Sequence, residues 1–285
     1  MRRLAVAVLS VLTLLVGSTT AQAITWGEPD GEAHPHVVTL MYTQDGQSAI
    51  FRCSGTLLSP TLVLTAGHCA EGVSGAPNDL TFVSNHPEPV ADYAGGGILG
   101  FLQTSEHWVQ GTATAHPEYD SFAAFPDTFD VGVVELAEPI ETGGVYGTLP
   151  EAGMLDSLLT RKGPPTQRQV AVVGYGLQGT VPAFAQADYE RYRGTATITG
   201  LGRSSTQGSQ NVQLSNTPGQ GTGPGGTCSG DSGGPAFWID PATGEETTTV
   251  VAVTSFGVTG HCAGTDFSFR TDTQAAQEFL SAYTG

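Results

Sequence analysis

Ser232 is the residue of this chain whose setting most directly suggests chemistry. It lies in Thr227-Cys228-Ser229-Gly230-Asp231-Ser232-Gly233-Gly234-Pro235, directly after an aspartate and among glycines. Glycine reaches backbone conformations that a Cβ disfavours, so such a stretch can bend sharply and turn its N–H groups outward. A hydroxyl beside aligned N–H donors is what acyl transfer needs: the oxygen attacks, and the donors hold the oxyanion that forms. Serine is a weak nucleophile by itself and needs a base, which a third group must orient. Two upstream residues fit those roles. His68 stands at the end of the apolar, β-branched run Leu62-Val63-Leu64-Thr65-Ala66-Gly67-His68-Cys69, and Asp130 heads Val131-Gly132-Val133-Val134-Glu135-Leu136. An aspartate leading into a buried strand must be paired or hydrogen-bonded, as a base-orienting acid would be. Asp120 and Asp127 are nearby rivals, but neither runs directly into such a strand. Any one of these features alone is bland, since a Gly/Ser/Pro string is ordinarily a surface loop. Their combination carries the chemical reading.

Short strands and many turns must position these groups. The chain has 39 glycines and 17 prolines with 39% apolar residues, a mix that suits strands better than long helices. Strand-like runs fall at His34–Met41, Thr81–Val83, Gly97–Phe101, Val170–Gly176, Thr195–Thr199, Asn211–Leu214, Ala236–Ile239 and Thr249–Thr254. Residues 138–168, rich in Pro and Gly, read as a crossing between two halves, with a brief helix over Leu149–Leu159. Gln220–Gly226 reads as a mobile loop. Thr273–Tyr283 places Ala276, Phe279, Leu280 and Tyr283 on one helical face, with Asp272 as the expected cap.

The first 23 residues stand apart. Arg2 and Arg3, the apolar Leu4–Val16 and the small Ala21-Gln22-Ala23 have the order of a secretory signal peptide, too short in its apolar part to span a bilayer. The expected product is exported and begins at Ile24. Its removal takes away two arginines and no acid, so the net charge of −17 becomes −19. Nucleic-acid binding needs a basic footprint, so this balance argues against it. No later stretch suits a membrane span. Four cysteines in an exported chain point to two disulfides, with three connectivities open. No zinc spacing or calcium loop is present, and neither metal nor cofactor is expected.

The strings quoted resemble those of the chymotrypsin/trypsin-like serine proteases, of the secreted bacterial type. Thr227–Pro235 resembles that family's Gly-Asp-Ser-Gly-Gly-Pro nucleophile motif, Cys53–Cys69 its Cys-Gly-Gly-Ser-Leu-Ile … Leu-Thr-Ala-Ala-His-Cys block, and Phe129–Leu136 its Asn-Asp-Ile-Ala-Leu-Leu-x-Leu block. His116-Pro117-Glu118-Tyr119 is similar to the turn before the acid, with His116 structural. The chain order His68, Asp130, Ser232 is that of chymotrypsin. The resemblance implies an all-β fold of two six-stranded antiparallel Greek-key β-barrels with a C-terminal helix. The expected division is signal 1–23, first barrel 24–145, and second barrel 146–285 with its closing helix at 273–283. It also implies pairings Cys53–Cys69 and Cys228–Cys262, an oxyanion hole from the N–H groups of Gly230 and Ser232, and support of Asp130 by Ser255.

In that family a freshly freed amino-terminal Ile pairs with the Asp before the nucleophile. Here the pair would be Ile24 and Asp231, so that signal removal itself activates the enzyme. The implied partners are polypeptide substrates bound by a monomer, with Ser255-Phe256-Gly257 pairing with the substrate backbone. Aligning back from Ser232 puts Gly226 at the base of the specificity pocket, with Gly257 and Ser268 as walls. That predicts a neutral pocket preferring apolar or aromatic side chains, and Asp266 is the residue that threatens the prediction. Two rivals remain. Gly230–Gly234 also satisfies the esterase elbow Gly-x-Ser-x-Gly, but that class needs Asp and then His after the serine, and only His261 follows. An inactive, protease-like binding protein would usually have lost one of these groups, and here all are present.

Overall fold

The computed structural model describes residues 24–285 except 45, 47–48, 72–76, 160–162, 182–183, 187, 202–207 and 217–224. The expected signal peptide and most of the loop expected over Gln220–Gly226 thus lie outside the described residues. The entering segment first adds a two-residue strand, β1 (Glu28–Pro29), to the edge of the second half of the molecule. It then crosses into β2 (Val37–Gln44), whose eight residues are all buried.

β2 opens a closed barrel with β3 (Phe51–Ser59), β4 (Leu62–Thr65), β5 (Asn78–Ser84), β6 (Val109–Ala115) and β7 (Gly132–Leu136). Around the ring the order is β2-β3-β4-β7-β6-β5. Val38, Leu40, Leu57, Val63, Val83 and Val134 fill its interior. A helix, α2 (Ile98–Thr104), lies between β5 and β6 and packs Leu102 against Met41, Phe82 and Trp108. The sequence pattern predicts a strand over Gly97–Phe101, and the structure corrects it. Gly95, Gly96 and Gly97 all have positive φ and stop an extended run, so Ile98, Phe101 and Leu102 meet the core at helical rather than alternating spacing.

The second barrel consists of β8 (Gln169–Gly174), β11 (Tyr192–Leu201), β12 (Asn211–Asn216), β13 (Pro235–Ile239), β14 (Glu246–Gly257) and β15 (Gly264–Arg270), with the hairpin β9 (Gly179–Val181) and β10 (Phe184–Gln186) inserted. Pairing of β8 with both β11 and β13 closes the ring β8-β11-β12-β15-β14-β13. In both rings the first three strands run in order and the last three return in reverse, so the two barrels share one Greek-key topology. The fold is two six-stranded antiparallel barrels with a C-terminal helix, as expected from the sequence.

A shared core joins them: Val37, Leu62, Leu64, Val131 and Val133 of the first barrel meet Val173, Tyr175, Phe237, Val250 and Phe269 of the second. The closing helix α3 (Gln274–Thr284) seals this layer with Ala276 and Leu280. Its cap is Thr273, whose side chain accepts from the Ala276 N–H, and not Asp272 as expected. Asp272 is engaged elsewhere, pairing with Arg270 and accepting from the Leu155 N–H at 2.7 Å. The brief helix expected over Leu149–Leu159 is a 3₁₀ turn over Met154–Leu159.

A buried polar network also links the entering segment to both barrels. Arg191, just before β11, donates to Asp30 Oδ2 at 2.7 Å with both side chains fully buried. The same guanidinium bonds the carbonyls of Gly31, Val37 and Asn85 and the Tyr175 hydroxyl. His34 lies between Asp30 and Glu246 of β14, its Nε2 2.6 Å from Glu246 Oε1.

Candidate active site

β4 ends at Thr65, and Gly67–Ala70 makes one helical turn, α1, that turns His68 toward the other barrel. Glycine at 67 permits a close approach: a Cβ there would stand 3.0 Å from the Tyr119 ring and 3.2 Å from Asp130 Oδ1, so these neighbours would have to give way. Asp130, fully buried, sits immediately before β7. Its carboxylate accepts from the His68 backbone N–H at 2.8 Å, and its Oδ2 lies 2.9 Å from His68 Nδ1. The Ser255 hydroxyl, from β14, donates to the same Oδ2. With Nδ1 facing a carboxylate, the proton of neutral His68 belongs on Nδ1, and Nε2 is left to accept one.

Burial disfavours charge on both groups, yet each is shifted toward its charged form. Asp130 is held below the usual carboxylate range because the His68 charge and three hydrogen bonds outweigh its burial. His68 is raised above its ordinary value because the Asp130 charge and hydrogen bond outweigh its own desolvation. This arrangement makes a base that stabilises the proton it takes.

The Ser232 loop packs directly against the strand end that carries His68. The Ser54 N–H donates to the Ser232 carbonyl at 2.7 Å, and the Ser54 hydroxyl to the Gly230 carbonyl at 2.9 Å. Gly233, at φ 78°, leaves no room for a side chain, since a Cβ would fall 2.1 Å from Thr65 Oγ1. The N–H groups of Asp231, Gly233 and Gly234 donate to Cys228, Thr254 and Asp231 carbonyls. Among the described residues the N–H groups of Gly230 and Ser232 find no acceptor. They are therefore free to bind an incoming oxygen. No hydrogen bond joins Ser232 Oγ to His68 among the described residues; such contacts commonly tighten only when substrate binds. The disulfides brace both sides, joining Cys53 to Cys69 next to His68 and Cys228 to Cys262 next to the serine loop, the pairings that the resemblance implies. The Cys53, Cys69 and His68 donor atoms cluster, but disulfide sulfurs are not thiolate ligands.

Asp231 is buried, and its carboxylate accepts from the Gly176 and Cys228 N–H groups at 2.8 and 2.9 Å. Burial pushes its carboxyl up to about 7 despite those bonds. No hydrogen bond or ion pair joins it to Ile24 among the described residues. Ile24 is itself fully buried in the core of the second barrel, and residue 25 is bridged to Gly226 by backbone hydrogen bonds of 2.9 and 3.2 Å.

A cavity of about 200 Å³ opens at Ser232, lined on one side by Thr254, Ser255, Phe256 and Gly257. Its other walls differ from the sequence expectation. Gly226 and Ser268 do not line it: the Cβ direction of Gly226 is filled by the Asn216 side chain, and Ser268 is buried within β15. Asn216, Thr227, Thr265 and Asp266 do. Asp266 Oδ2 accepts from the Thr227 N–H at 3.0 Å, from the Thr227 hydroxyl and from Asn216 at 3.3 Å, while Oδ1 has no partner. Burial raises this carboxyl to about 7, against the Thr227 bonds. Strand alternation puts Asp266 and Ser268 on one face of β15, so the signal for the acid was present and only the register along the face was misjudged. A larger cavity, about 620 Å³, lined by Trp26, Glu28, Arg193 and Glu246, contains none of these groups.

Two like-wound barrels with a histidine–carboxylate pair on one and a glycine-flanked serine on the other define a chymotrypsin fold. The trypsin family profile matches residues 24–280, and the chain belongs to that family. Brachyurin of Leptuca pugilator is 26% identical over 218 residues, covering 75% of this chain and 79% of brachyurin. Serine protease Hayan of Drosophila melanogaster is 27% identical over 151 residues, 52% of this chain but only 20% of Hayan. A trypsin of Saccharopolyspora erythraea is 34% identical over 108 residues, 38% of this chain and 39% of that one. Among solved structures, HL collagenase superimposes with a TM-score of 0.62 at 17% identity, covering 92% of this chain and 99% of the other. Among the described residues no helix is long and apolar enough to cross a membrane.

Proposed function

We propose that the chain, cut after Ala23 and exported, is a monomeric serine endopeptidase. The observation that carries this reading is the Asp130 carboxylate fixing His68 Nδ1, beside a serine loop with two unengaged N–H groups. Ser232 Oγ attacks the scissile carbonyl carbon as His68 Nε2 takes its proton, and the Gly230 and Ser232 N–H groups receive the oxyanion. Collapse breaks the C–N bond, with His68 protonating the leaving amine. Water then enters by the same path in reverse and frees the acid. The whole site lies within one chain, which supports action as a monomer, and the Saccharopolyspora relative supports the bacterial type.

The neutral pocket expected from Gly226 is replaced. With the Asp266 carboxylate buried in the cavity wall and its Oδ1 unbonded among the described residues, the pocket takes Lys or Arg when that acid is ionised and apolar side chains when it is protonated. Activation follows the same logic of buried charge. Among the described residues Asp231 has no cationic partner bonded to it, and an ammonium created at Ile24 would provide one. An esterase reading lacks its later histidine, because His261 lies exposed and outside the cavity.

The deciding experiment compares the purified mature chain with Ser232→Ala on denatured casein. The wild type should digest it, and the variant should lose at least about 10⁴-fold in kcat. Proteolysis retained by the variant would end this reading.

A further inference from the structure

Arg52 occupies an unusual position for a cation. It lies on β3 beside Cys53, and its guanidinium presses against the Ser232 loop: Nε stands 3.0 Å and Nη2 3.2 Å from where a Cβ on Gly230 would be. The Tyr189 ring covers it, with Cζ 4.4 Å from the ring centroid. Arg191 and Arg270, the other well-buried arginines, each bond carboxylates. Arg52 bonds none among the described residues, and its Nη1 is shut off from solvent without an acceptor. The carboxylate it senses most is Asp231, whose oxygens are already taken by the Gly176 and Cys228 N–H groups. An arginine does not shed its proton, so the charge stays and its desolvation goes uncompensated. A buried donor left without an acceptor calls for an explanation. Nη1 itself is closed to substrate as it is to solvent, but Arg52 as a whole is only partly buried, and what remains open of it stands beside the reaction centre.

The flank on which it stands decides what it could bind. The acyl-side cavity is walled by residues 254–257 and by Asp266, and Arg52 is not part of it. Arg52 lies instead on the side of the Cys53–Cys69 bridge, where β3 holds the Ser232 carbonyl through Ser54. A peptide with its acyl half along Ser255–Gly257 must send the residues beyond the scissile bond toward this other flank. We propose that Arg52, backed by Tyr189, is a specificity residue for the leaving half of the substrate, binding an Asp or Glu side chain one to three residues after the scissile bond. The planar guanidinium fork matches a carboxylate. The formal charge of −19 on the chain cut after Ala23 repels acidic peptides from a distance, so a local cation favours their binding.

This inference rests on the endopeptidase reading, and its test separates the two. Internally quenched peptides share one acyl half and carry Glu, Gln or Lys at each of the three positions after the scissile bond. They are compared in kcat/KM for wild type, Arg52→Gln and Arg52→Lys. At one position the wild type should prefer Glu to Gln by about tenfold, mostly in KM, with the preference shrinking as salt rises. Arg52→Gln should bring the Glu/Gln ratio close to one, and Arg52→Lys should keep a part of it. Cleavage with no acid preference in the wild type, or a ratio that survives Arg52→Gln, overturns the assignment, leaving Arg52 as a counter-charge for Asp231. A wild type that cleaves no peptide overturns the endopeptidase reading and this one with it.

Discussion

Replacing Asp266 with asparagine tests the pocket most directly. The substitution keeps the size of the side chain and an acceptor for Thr227, and it removes the charge that this wall of the cavity would offer a basic substrate. Because burial raises this carboxyl to about 7, the wild-type pocket changes sign within the working range. Well above that value the acid is ionised and pairs with a Lys or Arg side chain. Below it the acid holds a proton, and the basic side chain meets only neutral groups. Losing one partner of a buried charge pair costs about 3 kcal/mol, and each 1.36 kcal/mol is tenfold in rate. The change is therefore on the order of a hundredfold in kcat/KM. Peptides differing only in Lys or Leu before the scissile bond should be assayed at a series of pH values spanning that of the acid. The ratio of their kcat/KM values is the useful quantity, because the titration of His68 affects both substrates alike and cancels. In the wild type the Lys/Leu ratio should climb through about pH 7 and level off; in Asp266→Asn it should be flat and roughly a hundredfold below that plateau. A ratio that ignores pH in the wild type, or that the variant leaves unchanged, refutes the assignment of Asp266 to the pocket.

Three further outcomes are expected. Catalysis needs neutral His68, so activity should fall as pH drops through a value above the ordinary 6.5, and Asp130→Asn should move that limb to lower pH while cutting kcat by about 10⁴-fold; a limb moving upward would contradict the electrostatics. His34 is raised to about 9, since its bonds to Asp30 and Glu246 outweigh burial. A group raised in the folded state contributes stability that is complete below the unfolded value of 6.5 and lost as pH climbs through about 9. Denaturant titrations across that window should record a loss of roughly 3 kcal/mol from this group, and His34→Gln should remove that part of the slope, leaving what the raised His68 contributes. Finally, a chain beginning at Ile24 should be at least about a hundredfold more active than one with Met-Ala ahead of it, given the cost of a buried unpaired charge; equal activities would remove the activation proposal.

The sequence was most informative where chemistry constrains a short string. Ser232 with its glycines, His68 closing a strand and Asp130 opening one are legible because each role demands particular neighbours in the chain. The barrels were legible through turn density and short apolar runs, and α3 through the spacing of Ala276 and Leu280. Features that depend on register or on distant partners were harder to see. α2 reads as a strand because Ile98-Leu99-Gly100-Phe101 is too short to show a period, and the three glycines before it settle the matter only in three dimensions. Thr273 and Asp272 are both good caps by type, and the choice falls to the distant Leu155 and Arg270 that engage Asp272. Arg52 gives no sign in the sequence at all. Its isolation follows from Gly230 and Tyr189, which are 178 and 137 positions away along the chain.

Each disulfide closes a loop inside one barrel, Cys53–Cys69 in the first and Cys228–Cys262 in the second. Apart from the entering segment, which lends β1 to the second half, the halves are covalently continuous through the crossing between Leu136 and Gln169. The reacting groups are divided the same way, with His68 and Asp130 on one half and Ser232 and Ser255 on the other. A single nick in that crossing would convert a unimolecular enzyme into a heterodimer with half an active site on each piece. Its activity would then vary with concentration, sustained by the mixed core and by the Asp30–Arg191 clasp.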